Sequence, residues 1–291
     1  MFFVESKYKK NDNFPYLVQE NLLNKEDIDY IKDNFPRELF NKIEDLHDKM
    51  GLTEGRTNIQ FQNPLMSSFL KKDKVWKKLF STFSGKKFSK NLYNIFKAEC
   101  DDLVIDGLNL DKARWFINPS SYLTVDDSIF LNRFIRKVKV YIIKKYINIL
   151  GHLLNIINIP LIIIDAQLCR AKSGYELKPH IDSRSKLMSV LFYLNEVKDI
   201  KNNYISNLDL YESDNSKNPL EFLGITPNEK LNKFNSIKVE SNKLVVILNT
   251  NNAFHGVDQW TSENYRKFFY IAYTVKGRDN IWKTNKSTGK N

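Results

Sequence analysis

The chemistry in this chain of 291 residues begins with its histidines, of which there are four. One of them, His180, stands two residues before Asp182 in "LKPHIDSRSKLMSVLFYLN". In extended backbone, residues i and i+2 point to one side, so this imidazole and this carboxylate can converge on one point. A third donor, His255, sits in "NTNNAFHGVDQW", directly after the apolar run "KLVVILNT". A strand–loop–strand return would bring it beside the first pair. Two imidazoles and one carboxylate on one face of a metal leave the remaining positions open, an arrangement suited to non-haem Fe(II) and O2. An H-x-D pair alone is common and usually structural, so its companions decide.

Two companions are visible. Arg266 follows His255 by eleven residues and opens the apolar run "RKFFYIAYTV". A buried arginine beside a metal calls for an anion, and a carboxylate held in its fork answers that need. Tyr193 lies on the strand after the H-x-D, where its hydroxyl could meet the same carboxylate.

These groups need a scaffold. From Pro160 onward, "LIIIDAQLCR", "KLMSVLFYLN", "NLDLYES", "SIKVESN", "KLVVILNT", "AFHGV" and "RKFFYIAYTV" are short and rich in β-branched and aromatic residues. Gly, Asn, Asp and Ser clusters separate them, as between strands. No helical pattern intervenes, which disfavours βαβ units and predicts an antiparallel sandwich or barrel. Residues 198–234 are polar and read as a long irregular insertion, and the tail "NKSTGKN" reads as disordered.

The first half reads as helical. Asn24 is a candidate N-cap for "LLNKEDIDYIKDNFP", with Ile28 and Ile31 on one face and Pro36 as the stop. Trp76, Phe80 and Phe83 form one stripe, and Leu92, Ile95 and Phe96 another. Between the helices, "MGLTEGRTNIQFQNP" reads as loop and short strands. Residues 127–159 support a long helix with Leu131, Phe134, Ile135, Val138 and Ile142 inward and a solvated basic face. His152, in that stretch, reads as a packed or surface histidine. The chain divides into a mainly helical region over 1–159, a β core over 160–276 and a tail over 277–291.

Composition excludes other classes. A hydrophobic content of 42% supports a sizeable core. Cys100 and Cys169 lack motif spacing, which argues against a disulfide framework or a cysteine-built zinc site. The opening "MFFVESKYKKNDNFP" has no signal-peptide core, and no run approaches the roughly 18–20 apolar residues of a membrane span. A cytoplasmic protein is expected. The net charge of +11 would suit a nucleic-acid or membrane partner. Yet the chain is crowded with Lys, Asn and Ile, whose AT-rich codons account for much of it.

The ordered set "HID", "LFYLN", "FHGV" and "NYRKFFYIAYTV" resembles the Fe(II)/2-oxoglutarate-dependent dioxygenase superfamily, and within it the prolyl-4-hydroxylase-like branch. The resemblance covers residues 160–276. It implies an α+β protein whose core is a double-stranded β-helix, a jelly-roll or cupin-like fold, with the helical half packed against it. It implies Fe(II) held by His180, Asp182 and His255, with 2-oxoglutarate as cosubstrate alongside O2. Arg266 and Tyr193 would hold the distal carboxylate of 2-oxoglutarate, and Arg170 or Gln167 would line the pocket near its other end. The implied reaction is hydroxylation of an unactivated C–H bond, in a small metabolite or a peptidyl side chain, with release of succinate and CO2. Halogenating relatives replace the carboxylate that Asp182 supplies here.

The chain departs from the pattern in one place. Many relatives carry a Gly-Gly pair before the strand matching "LDLYES", where this chain has "YISN", which weakens any carry-over of the branch's substrate class. Nucleic-acid demethylases of the superfamily carry a second arginine six residues after the first; here that position is Ala272, so nucleic acid is not expected as a partner. A β-helix protein that binds metal or ligand without turnover is the alternative from a different class. Segments 51–64 and 198–234 are expected to flank the mouth and cover the site, with Arg56 near the substrate. Arg184 and Lys186 read as solvated turn residues.

Overall fold

The computed structural model of the protein describes residues 7–11, 14–49, 55–61, 63–118, 130–195, 206–213 and 231–283. Strands β1 (Lys7–Asn11) and β2 (Phe14–Gln19) come first. Helix α1 (Lys25–Asp33) starts where the sequence placed its cap: the Asn24 side chain accepts the Asp27 backbone N–H at 2.7 Å. After α2 (Arg37–Lys49) and β3 (Arg56–Gln60), α3 (Pro64–Lys72) opens on Asn63 with Pro64 in its first turn. Asp73 caps α4 (Lys74–Phe83), and α5 (Lys86–Ile95), α6 (Lys97–Leu103) and β4 (Arg114–Ile117) follow. The long helix α7 (Phe130–Ile156) leads into the β-rich half.

That half contains β5 (Leu161–Ala171), β6 (Leu177–His180), β7 (Lys186–Tyr193), β8 (Leu208–Ser213), β9 (Leu231–Ile237), β10 (Lys243–Leu248), β11 (Phe254–Val257) and β12 (Arg266–Lys276). They form two sheets. The larger runs β1-β2-β10-β7-β12-β5-β3, with β4 parallel to β5; the smaller runs β6-β11-β8-β9. Every other pairing is antiparallel, and β12 pairs with β5 over its whole length, from Arg266 opposite Ala171 to Lys276 opposite Leu161.

The period of two along these strands separates two cores. Ile162, Ile164, Ala166 and Leu168 of β5, with Phe192 and Phe269, meet the helices. Phe80 and Phe83 pack there at 4.7 and 5.1 Å from Phe269 and Phe192, which is where the aromatic stripe of α4 goes. Cys169, Ala171, Leu191, Tyr193 and Phe268 face the small sheet instead.

Several expectations change. The helical reading of the first hundred residues omitted β1 and β2, although "FPYLVQ" is largely apolar and mostly buried. β2, β3 and β4 all join the sheet built by the later strands. Strand β8 matches the expected run "NLDLYES"; with the start of β9 it lies inside the stretch also read as an irregular insertion, whose residues 198–205 and 214–230 lie outside the described residues, as does the tail from 284. Val138 and Ile142 are exposed rather than inward, and Ile143, Ile147, Leu150 and Leu154 pack toward Leu161 and Ile163. Apolar residues occur on most faces of α7, so periodicity could not choose the buried one. Side chains 131–137 lie outside the described residues. Among the described residues, no helix is long and apolar enough to cross a membrane.

Candidate metal centre and its cavity

The small sheet brings the two histidines together. β6 and β11 run antiparallel with His180 opposite His255, and their ring centroids lie 4.6 Å apart. Asp182 follows two residues after His180, just beyond the end of β6. One ligand atom from each of the three residues lies within 4.8 Å of the others.

The proton positions are also fixed. Nδ1 of His180 lies 2.9 Å from the Lys178 carbonyl, and Nδ1 of His255 lies 2.9 Å from the Ala253 carbonyl. A carbonyl only accepts, so each Nδ1 carries a hydrogen and Nε2 is the nitrogen left to ligate a metal. Burial lowers the His255 pKa to about 4, so this imidazole is neutral at pH 7. Burial works against ionisation of Asp182, but His255, the Lys186 ammonium and the Ser189 hydroxyl outweigh it and hold the carboxyl well below its usual range. Two neutral nitrogen donors and one anionic oxygen on one side of a common point fit a divalent first-row cation.

The carboxylate is oriented by the large sheet. Lys186 Nζ donates to Asp182 Oδ1 at 2.7 Å and to the Tyr270 hydroxyl at 2.9 Å. Ser189 Oγ donates to Oδ2 at 2.7 Å and itself accepts from Asn249 Nδ2 at 3.0 Å. Lys186 is therefore not the solvated turn residue the sequence suggested; β7 begins there and aims it inward.

A cavity of about 500 Å³ joins the triad to Arg56, Asp165, Gln167, Lys186, Tyr270 and Arg266. Arg266 is 1% exposed. Its Nη1 donates to Ser206 Oγ at 2.7 Å, while Nη2 lies 3.5 Å from the Tyr193 hydroxyl. Nε is buried with no partner, and among the described residues no carboxylate pairs with this guanidinium. Tyr193 is fully buried and is not among the residues that line the cavity.

The two β5 candidates separate. Gln167 faces the cavity. Arg170 has the opposite parity and points to the helical side, a correction to its expected place in the pocket. There its Nε and Nη2 grip Glu44 at 2.9 and 2.8 Å, and Nη2 also donates to Asn41 Oδ1 at 2.9 Å. Asp165, Ser189 and Tyr270 were missed by sequence reasoning. The alternation in "LIIIDAQLCR" was a usable signal for Asp165, as was the spacing of four between Arg266 and Tyr270. His152 is exposed on α7, remote from the triad in sequence and outside its cavity.

No protein-family model matches the chain, and no curated protein sequence matches it. Among solved structures it is similar to a prolyl-4-hydroxylase from Pseudomonas putida, at 13% identity over 53% of this chain and 70% of that one, with a TM-score of 0.27. It is similar to an oxidoreductase of the 2OG-Fe(II) oxygenase family from Burkholderia pseudomallei, at 12% identity over 48% of this chain and 60% of that one, TM-score 0.27. A third is HygX from Streptomyces hygroscopicus with nickel and 2-oxoglutarate bound, at 10% identity over 94% and 86% of the two chains, TM-score 0.38. Likenesses this distant leave the functional reading to the side chains.

Proposed function

We propose that the protein is an Fe(II)- and 2-oxoglutarate-dependent oxygenase that hydroxylates an unactivated C–H bond of a small metabolite or a peptidyl side chain. One observation carries the reading: a His–Asp–His cluster with both proton positions fixed shares a cavity with a buried guanidinium that has no carboxylate partner among the described residues. A buried cation without an anion is costly unless a ligand supplies one. The strand order supports the same reading. From β5 to β12 the chain passes between the sheets so that β10-β7-β12-β5 faces β6-β11-β8-β9, the order of a double-stranded β-helix.

In this reading His180, Asp182 and His255 hold the metal, leaving a net charge of about +1 from two neutral imidazoles and one carboxylate. Bound Fe(II), with 2-oxoglutarate and O2, supplies the oxidising chemistry, giving succinate, CO2 and a hydroxylated product. The remaining residues position and shield. Lys186 and Ser189 fix the two oxygens of Asp182, so the carboxylate keeps one orientation toward the metal. Arg266 receives the distal carboxylate of 2-oxoglutarate in its fork. Phe268, Leu191 and Val257 line the cavity and limit water around the reacting atoms.

The test is succinate release from 2-oxoglutarate by protein loaded with Fe(II), screened against metabolites and peptides. Turnover that requires both Fe(II) and 2-oxoglutarate and vanishes in His255→Ala is expected. Metal uptake without succinate from any candidate would instead fit a protein that only binds.

A further inference from the structure

The triad and Arg266 account for only part of the cavity. Arg56, from β3, also faces it. Its Nη1 donates to the Tyr175 hydroxyl at 3.2 Å and its guanidinium lies 5.8 Å from the centre of that ring. Among the described residues, no carboxylate pairs with it. Asp165, from β5, carries the opposite charge into the same space. Asn118 hydrogen-bonds its side chain, but Oδ1 is buried without a partner. Lys186, Lys276 and Lys144 act on it electrostatically, yet no ion pair with it forms among the described residues, and burial still raises its pKa. Gln167 lines the cavity between the two.

The register orders them along the strand. Arg56 is level with Ala171 on β5, six residues or roughly 20 Å of strand from Asp165 at about 3.3 Å per residue, and Gln167 lies between. Both side chains enter the one cavity, so the two ligand charges they meet stand at opposite ends of a small molecule. A dicarboxylate would set a second anion against Asp165, and a diamine a second cation against Arg56. Only a molecule carrying both signs answers both groups.

We propose that this strip of the cavity binds the substrate, and that the substrate is a small zwitterion with a carboxylate on Arg56 and a protonated amine on Asp165. Its carbon chain lies across Gln167, with its central C–H bonds turned toward His180, Asp182 and His255 on the facing sheet. An unbranched amino acid with a terminal amine has this charge pattern. The assignment of reaction rests on the oxygenase reading; the charge pairing rests on Arg56 and Asp165 alone.

The probe is 6-aminohexanoate, titrated calorimetrically into protein holding Mn(II) and saturating 2-oxoglutarate without O2. Hexanoate and hexylamine serve as its two halves. The zwitterion should bind at least about tenfold more tightly than either half, the effect of one added charged hydrogen bond. Arg56→Gln should weaken 6-aminohexanoate and hexanoate while sparing hexylamine. Asp165→Asn should weaken 6-aminohexanoate and hexylamine while sparing hexanoate, and Arg56→Lys should keep most of the preference. A misfolded variant would lose all three probes alike, so the crossed pattern is diagnostic. Equal affinity for the three probes, no binding of 6-aminohexanoate, or uniform weakening in both single variants together with Arg56→Lys would overturn the proposal. If Mn(II) and 2-oxoglutarate fail to bind, the oxygenase reading fails. The same series on metal-free protein then decides the zwitterion site separately.

Discussion

Arg266→Met separates a ligand-binding arginine from a structural one, because the two roles predict opposite signs. In the ligand-free protein the guanidinium is almost fully buried, yet among the described residues it meets a neutral hydroxyl at 2.7 Å, a carbonyl at 3.3 Å, a long contact of 3.5 Å to the Tyr193 hydroxyl and the rings of Tyr193 and Phe268, and no carboxylate. Losing those hydrogen bonds costs about 1–2 kcal/mol, and relieving the desolvation of an unpaired charge offsets it. Stability without ligand should therefore be nearly unchanged. Affinity for 2-oxoglutarate should collapse. A buried, charge-assisted contact contributes about 2–5 kcal/mol, or roughly 30- to 5000-fold in the apparent KM. Thermal unfolding with and without 2-oxoglutarate reads both effects. Wild type should gain about 2.7 kcal/mol at a hundredfold excess over Kd, and the variant almost nothing. A normal KM with an undiminished ligand-induced shift would refute the reasoning and pass the role to the cavity's other guanidinium, Arg56.

Removing any one of His180, Asp182 or His255 as Ala should abolish tight Fe(II) binding, measured by metal content after dialysis, while circular dichroism stays native. Tyr193→Phe should change the KM for 2-oxoglutarate by no more than about 0.5 kcal/mol, because a contact of 3.5 Å is at the limit of a hydrogen bond. Glu44→Gln should destabilise the fold by about 3–5 kcal/mol in denaturant titrations, because it leaves Arg170 buried without its carboxylate; a purely catalytic effect would contradict this placement. The metal-free protein should lose stability as pH falls from 6.5 to about 4, since His255 binds a proton at 6.5 when unfolded but only near 4 when native. That contribution is intact above 6.5 and amounts to about 3 kcal/mol, and His255→Gln should flatten acid-unfolding curves across the window.

What the sequence revealed depended on how local each signal was. The triad was legible because H-x-D needs only the period of a strand, and His255 only a return strand. Asn24 was legible as a cap because its partner lies three residues away. β2 was not: "FPYLVQ" pairs with its sequence neighbour β1 on one edge, but enters the large sheet only through β10, more than two hundred residues later. The alternation in "LIIIDAQLCR" puts Gln167 on the face of Asp165 and Arg170 on the other, but does not say which face meets the cavity. Both lie on β5, and only the burial of Ile162, Ile164, Ala166 and Leu168 under the helices shows which parity faces the cavity. Lys186 was misjudged because a basic residue after "DSRS" looks solvated until β7 is seen to begin at it.

The same reasoning explains why the motifs say so little about substrate. The residues proposed to hold metal and cosubstrate lie on β11 and β12 and around β6, within the span that the ordered motif covers. Arg56 comes from β3, more than a hundred residues before β5, and reaches the cavity only because β3 extends the large sheet beside β5. Its neighbours on the strand, Thr57 and Ile59, are buried on the helical side, and Thr57 donates to Glu44, the carboxylate that also holds Arg170. The ion pair that took Arg170 out of the pocket thus ties α2, β3 and β5 together, and so helps hold the strand that carries Arg56. On the proposed reading, substrate choice can change through the first half of the chain while the strands that carry His180 and His255 stay as they are.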